Sequence, residues 1–491
     1  VLKNLGKPKR KIFFTMKASL RPSVFWILTF ITLLLCKFSF AQSGSHYWSQ
    51  QYGPKGLLLN GAVIATSESE SDIFYNPGAL GFEGDFGISV SLLTPSFSDF
   101  KAKNLFGKGS QTTDTDFSLF PAAFIAVNFK IFNNKRIKTS FSTFNRFRSN
   151  LNLDERAVDV VPNAEDQLFV GGLSFRNRVR ERWMGFGFSY RASKTFSFGL
   201  SQFITLHSTN YDLEFQKQIV NRQQPDNLLL GINNVIKYNL KSRGGVLTKF
   251  GLAWQPGNAK FGLTLTTPTY YRILEKASFD FRYLQRLPLQ EPTLNSNYSD
   301  NAGSKYKTPL SIGLGADFDF GGFRVSLALE YFKSIERYTQ IEELDDPFDG
   351  LAQGSYDQVL KIETASKDLL NFAIGFQRKF WNEITLLGGM RTDFNQANGL
   401  WANGVPQLLT RTPDIIHFSF GGIFKLWRNQ FSLGLDYGFG SQNNQEQLVD
   451  FTNVSSENIF SPDPTGNVNS KFKAFTLIFT YDFFFKTFFK K

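Results

Sequence analysis

Cysteine occurs once in the 491 residues, at Cys36. One thiol makes neither an intramolecular disulfide nor a thiolate metal cluster. Histidine is almost as scarce, with only His46, His207 and His417. No two of them stand at the spacing of a His-Glu-x-x-His helix or a comparable metal motif, so we read all three as incidental and expect no metal and no cofactor. A haem receptor would have to rely on His207 in a surface loop or His417 on an inward face. No nucleophile, base and acid are grouped in a way that sequence reveals, and no phosphate-cradling loop is present, so neither an enzyme nor an energy-coupled pump is expected. Beyond position 41 no run approaches 18 apolar residues, and no transmembrane helix is predicted. Excess charge is missing too. The formal +12 is concentrated at the start, where eight of the 54 Lys and Arg, and no acid, precede Gln42. The remainder is about +4 with its basic residues scattered among acids, which is not a nucleic-acid footprint.

The first 41 residues read as a leader. From Met16, Lys17 and Arg21 precede an apolar run from Val24 to Cys36, and Ser39-Phe40-Ala41 offers a small-residue cleavage site. About 13 apolar residues are too few to span a bilayer as a helix, which needs roughly 20. Leu35 before Cys36 does not fit lipidation. We therefore expect a secreted chain beginning at Gln42 and holding no cysteine.

What the chain does have is phenylalanine, 56 residues of it, in a strict alternation. Phe431, Leu433, Leu435, Tyr437 and Phe439 interleave with Ser432, Gly434, Asp436 and Gly438. Phe323, Val325, Leu327, Leu329 and Tyr331 alternate in the same way with Arg324, Ser326, Ala328 and Glu330. A period of two means strands. In a soluble sandwich the exposed face would carry Lys and Glu. Here the second face is Gly, Ser, Thr and Asp, the lining of a curved lumen, while Phe and Leu suit acyl chains. The fold class is therefore all-β, a transmembrane antiparallel β-barrel.

Strand centres fall near Ile88, Ile125, Phe141, Phe186, Phe198, Leu252, Leu263, Leu314, Leu327, Ile374, Leu386, Phe420, Leu435 and Phe479. That makes about 14 strands of roughly ten residues, spanning residues 84–485. Short turns near Ala192 to Lys194, Pro256 to Asn258 and Gly321 to Gly322 alternate with polar stretches such as Gln285 to Lys307 and Ser441 to Ser470, which read as long loops. An even count puts both termini on the periplasmic side of an outer membrane. The aromatic last strand is similar to the signal read by barrel-assembly machinery, followed by a basic tail, 486–491. Pro121 falls in the expected second strand, where it removes a ladder donor. The lumen face carries Asp317, Arg324, Glu330, Arg391, Asp393, Asp436 and Asp482, which we read as a cross-lumen network holding whatever fills the barrel. Any arginine among them is also a carboxylate site.

Residues 42–83 do not alternate, yet Gly56-Leu57-Leu58-Leu59, Ala62-Val63-Ile64-Ala65 and Ile73-Phe74-Tyr75 are too apolar for a solvated tail. They predict a folded plug. The segment ends in Asn76-Pro77-Gly78, and with the fourteen-strand pattern it resembles the FadL-like family of outer-membrane transporters of fatty acids and hydrocarbons. The resemblance covers essentially the whole mature chain. It implies an N-terminal hatch in which Asn76 and Pro77 match an Asn-Pro-Ala motif and Gly78 departs from it. The family's lateral exit depends on a kink in the third strand, and Thr139 to Arg148 contains neither Gly nor Pro. The resemblance implies passive passage of long-chain fatty acids or other hydrophobic molecules, with outer-membrane lipid and such a ligand as partners, in a monomer. Two alternatives remain open, an interaction barrel serving secretion or surface assembly and an aqueous porin.

Overall fold

The computed structural model describes residues 46–66, 70–83, 87–129, 134–224, 228–270, 274–286, 290–341, 362–381, 383–396, 413–426, 429–445, 450–452, 454 and 467–483. The expected leader and basic tail lie outside these residues. One sheet dominates, and every pairing in it is antiparallel. Its first member is broken into β1 (Gly87–Leu93) and β2 (Ser96–Lys103), its second into β3 (Gln111–Ser118) and β4 (Phe124–Phe129). Four long strands follow, β5 (Ile137–Val161), β6 (Ala164–Arg191), β7 (Phe196–Asn221) and β8 (Leu228–Trp254). Then come β9 (Ala259–Thr266) with β10 (Leu274–Arg286), and β11 (Thr293–Ala302) with β12 (Ser311–Asp319). Next are β13 (Phe323–Phe332), a ribbon of β14 (Ile335–Ile341) and β15 (Ile362–Ser366), and β16 (Leu369–Lys379). The last four are β17 (Ile384–Asp393), β18 (Ile415–Leu426), β19 (Asn429–Gln445) and β20 (Val468–Phe483).

Closure comes from β20, which pairs with β19 on one side and with both β1 and β2 on the other. Counting each broken member once, the sheet is a closed barrel of 14 strands. Each expected strand centre falls in a different one. No sheet edge is left to face hydrocarbon, where an unpaired amide or carbonyl costs several kcal/mol. The outward face of the belt is apolar, as at Phe186, Leu263, Phe420, Leu433 and Leu435, and Trp254, Phe320, Phe380 and Trp381 form an aromatic girdle at the short-turn end. There the β12–β13 turn places Gly321 and Gly322 at φ 77° and 106°, a conformation that favours glycine, and the Asp319 carboxylate accepts both of their amides.

Strand length departs from the expected ten residues. The strands β5 to β8 run 25 to 28 residues, and Pro162-Asn163 closes β5 onto β6 where a long loop was expected. Likewise Gln285 to Lys307 contains β11, paired along β10, and β19 continues to Gln445. The physical reason lies in polarity. Along β7 the outward face is Phe198, Leu200 and Ile204 within the belt, and then Ser208, Asn210, Asp212 and Glu214. Its inward face is Ser197, Gly199 and Ser201, and then Tyr211, Leu213 and Ile219. Beyond the belt the outer solvent is water, so the period of two survives while the apolar face switches sides. Such strands look like polar loops when only an apolar outward face is sought.

This switch gives a test. Leu435→Arg on the belt should cost about 2–4 kcal/mol of unfolding free energy in lipid vesicles. By contrast Asn210→Arg above the belt should change it by less than about 0.5 kcal/mol. Urea titration of the refolded barrel reads both, and equal losses would contradict the placement of the belt.

Candidate functional site

The lumen is filled at belt height by residues 46–66 and 70–83. Two short helices, α1 (Gly53–Leu58) and α2 (Asp72–Tyr75), and a 3-10 turn (Ala79–Phe82) carry almost entirely buried side chains. Small inward residues let this segment touch the wall. A Cβ on Gly315 of β12 would come within 2.6 Å of the Ala65 amide, one on Gly389 of β17 within 2.6 Å of the Leu59 backbone, and one on Gly421 of β18 within 2.6 Å of the Leu58 side chain. Serine hydroxyls supply the hydrogen bonds, Ser419 donating to the Leu58 carbonyl and Ser201 to the Ile73 carbonyl, both at 2.8 Å.

Asn76 joins the segment to the wall. Its amide nitrogen donates to the carbonyls of Ile64 and Leu252, each at 2.9 Å, and its oxygen accepts the Gly78 amide at 3.0 Å. Gly78 has an ordinary helical φ of −65°, so conformation does not demand glycine there. Space does, because a Cβ on Gly78 would lie 2.7 Å from the Gly251 carbonyl oxygen of β8. Departure from Asn-Pro-Ala thus coincides with a closer approach of backbone to backbone.

Of the seven charged residues read as lumen-facing, Arg391, Asp393 and Asp436 meet on one stretch of the segment. The Arg391 guanidinium donates to the carbonyls of Trp48 at 3.1 Å and Ser49 at 3.2 Å, to the Asn60 side chain, and to Asp436 at 3.4 Å. Asp393 accepts the Trp48 amide at 3.0 Å. Glu330 reaches the same tryptophan from another wall, accepting its indole N–H at 2.7 Å. Asp317 and Arg324 form a separate pair 3.5 Å apart beside the Asp319 turn. Asp482 is apart from both groups, taking hydrogen bonds from Ser89 and Gln430.

His417 faces inward as its strand phase implied, whereas His207 has a different place from the one expected. His417 Nδ1 lies 2.8 Å from Asp436, and His46 Nε2 lies 3.2 Å from the Pro413 carbonyl. His207 is in no surface loop. It faces inward from β7, buried, stacked on Tyr306 at 3.6 Å and beside Glu181, which also accepts hydrogen bonds from Tyr306 and Trp183. Next to this collar, Phe74 of the segment lies beneath two cations, Arg146 at 5.7 Å and Lys249 at 4.9 Å. Farther along the extended strands the inward face becomes apolar, with Phe169, Phe175, Tyr211, Leu213, Phe279 and Phe281 in one cluster. Sequence reading missed this cluster because the cluster lies beyond the short strands it drew, whereas Arg146 and Lys249 lie within those strands and were not among the charges it singled out. The alternation of β6 and β7 was the available signal.

The wall has a seam beside this collar. Pairing of the second barrel strand with β5 ends at Phe124↔Phe144, and β5 carries a bulge between Asn145 and Phe147. Pro121 is not within a strand but in the gap between β3 and β4, level with the gap at Thr94 and Pro95 between β1 and β2. Above that point β3 pairs only with β2, and Thr112 reaches Glu155 of β5 by a side-chain contact of 3.3 Å. A third strand without Gly or Pro is therefore still bent. An extra residue is enough to bend a strand, and it turns the Arg146 side chain inward. A small cavity connects Arg391 and Asp436 with the wall at Thr94, Pro121 and Ala122.

Arg391→Ala is expected to cost about 3–5 kcal/mol, because it leaves the buried Asp436 carboxylate, the Asn60 side-chain oxygen and two segment carbonyls short of a partner. Lys237→Ala, which breaks the exposed pair with Asp212, should cost under about 1 kcal/mol. Urea unfolding gives the energies, and proteinase K cleavage within residues 46–83 should speed up only in the Arg391 variant.

No protein-family model and no curated protein matches the sequence. Solved structures do match its fold. A Pseudomonas aeruginosa FadL homologue aligns with a TM-score of 0.55 at 10% identity, covering 91% of this chain and 100% of that one. The Pseudomonas putida toluene transporter TodX aligns at 0.54 and 13% identity, covering 89% and 99%. The Ralstonia pickettii toluene transporter TbuX aligns at 0.50 and 12% identity, again covering 89% and 99%. At such identities the likeness speaks for architecture, and in its architecture the chain is a FadL-like barrel.

Proposed function

We propose that this chain is an outer-membrane channel for the passive passage of small hydrophobic molecules, with residues 46–83 as its hatch, the short turns in the periplasm and the extended strands outside the cell. The observation that carries the reading is the apolar inner face of the extended strands, above a lumen closed at belt height. A water-filled porin has a polar and open interior. Here a solute arriving from outside meets Phe, Leu and Tyr side chains, which favour an apolar ligand by removing its surface from water. The FadL homologue and the toluene transporters support the same ligand class. We assign the head group of an amphipathic ligand such as a long-chain fatty acid to Arg146 and Lys249, and its exit to the seam between β3 and β5, which keeps an apolar molecule in contact with lipid.

Titration of the detergent-purified barrel with a fluorescent long-chain fatty acid and with toluene as competitor tests this reading. Saturable binding is expected, displaced by unlabelled acid and altered by deletion of residues 42–83. Arg146→Gln with Lys249→Gln should weaken the acid about tenfold and leave toluene within about twofold, as expected when one charge-assisted contact is lost. Absence of binding beyond an unrelated fourteen-strand barrel would overturn the proposal and favour a protein-binding role. The seam has its own test, since the chain has no cysteine after Cys36. Asp116→Cys with Asn150→Cys, bridged by a short thiol–thiol crosslinker, should slow uptake into vesicles without weakening binding, and unchanged uptake would place the exit elsewhere.

A further inference from the structure

The outer surface of the extended strands carries a basic face that neither hydrophobic transport nor the lumen explains. On β6 the outward side chains change abruptly from Tyr190, Phe188, Phe186 and Met184 to Arg182, Arg180, Arg178 and Arg176, all four arginines exposed. Register carries the pattern sideways. Arg148 of β5 pairs with Arg180, Arg180 with Ser208 of β7, Ser208 with Lys241 of β8, and Lys241 with Lys276 of β10. That cross-strand row spans five strands, about 19 Å at the usual spacing, and holds four cations and no acid. The next row outward is Asn150, Arg178, Asn210, Asn239 and Ser278, again without an acid. Acids appear only at the margins. Asp116 acts on Arg148, Asp212 lies 3.5 Å from Lys237, and Asp280 lies 2.9 Å from Arg282.

Two features of this face point to an anionic ligand. Lys241 opposite Lys276 is an exposed like-charged cross-strand pair, which destabilises a sheet unless an anion sits beside it, and Arg180 faces Arg148, which is buried next to Asp116. On β6 and β7 the row also lies within four residues of Met184 and two of Leu206, the last outward apolar residues of those strands, so the cations stand at the height of lipid head groups. Arginine at that height recognises phosphate oxygens bidentately. We propose that this face binds the phosphorylated head group of an outer-leaflet glycolipid. The proposal rests on the reading that the extended end lies outside the cell. It implies that a ring of tightly held lipid flanks β5 to β10 next to the seam, so a molecule leaving sideways enters an ordered part of the leaflet.

The test uses the full barrel in detergent and a bisphosphorylated lipid A as probe, with its enzymatically dephosphorylated form and inorganic phosphate as comparisons. The variant Arg178→Gln, Arg180→Gln, Lys241→Gln, Lys276→Gln is set against one lacking as many charges at the other end, Arg191→Gln, Lys194→Gln, Lys260→Gln, Lys379→Gln. Heat-dependent gel mobility confirms that both have folded. Saturable lipid A binding is expected, at least tenfold weaker in the first variant and within twofold of wild type in the second. The dephosphorylated glycolipid should bind at least tenfold more weakly to wild type, and millimolar phosphate should compete poorly. Equal binding by wild type and the first variant, or by the two glycolipids, would overturn the proposal. Loss confined to the second variant would overturn the orientation as well, while fatty acid binding retained in both variants would leave the transport reading standing.

Discussion

Everything in this barrel follows from the requirement that backbone hydrogen bonds be satisfied without water across the belt. Only a closed ladder does this for strands, and closure here depends on β20 accepting two partners in sequence, β1 and then β2, along its length. Once the ladder is closed, side chains have two faces and two solvents. Hydrocarbon outside selects Phe and Leu there and leaves the lumen to Gly and Ser. Beyond the belt water replaces hydrocarbon, and the same ladder carries its apolar residues inward. Rigid geometry with a change of solvent therefore produces two compartments in one wall, a packed lumen at belt height and an apolar chamber above it.

The N-terminal segment depends on the first compartment. Turns within it satisfy some of its carbonyls, and wall serines and Arg391 satisfy others, at Leu58, Ile73, Trp48 and Ser49. Arg391 can be buried because three acceptors from the segment and one carboxylate from the wall share its donors. Glycine on the wall has the complementary function of admitting backbone where a methyl group would collide, as where Gly199 lies against the Pro77 carbonyl, Gly262 against the Ile64 carbonyl and Gly251 against Gly78. Packing and polar satisfaction therefore act at the same places, which ties the position of the segment to the register of the strands around it.

The seam next to β5 shows the ladder requirement relaxed at one point. Where β3 and β5 separate, the strands are at the end of the belt, and polar side chains rather than ladder bonds face one another. A wall opened lower down would expose unpaired amides to acyl chains. Opened at this height, it meets head groups and water, and the Arg146 bulge brings a cation to the inner side of the same place.

Much of the architecture was legible in the residues. Strand number, the faces of Phe431 to Phe439 and of Phe323 to Tyr331, and the inward positions of Arg391 and Asp436 all follow from a period of two, which is a local property of the chain. What the tertiary structure decided are relations between distant segments. Which charges meet is one: Arg391 and Asp436 gather at Trp48 and Ser49, while Asp317 and Asp482 stay apart, because neighbours are set by barrel register and not by sequence distance. The length of β5 to β8 is another, since their outer halves obey the same period with opposite polarity and are recognised as wall only when the height of the belt is known. The role of Gly78 is a third, for the residue is free to be alanine by conformation and is held to glycine only by the backbone of Gly251, some 170 residues away in the chain and in contact with it in space.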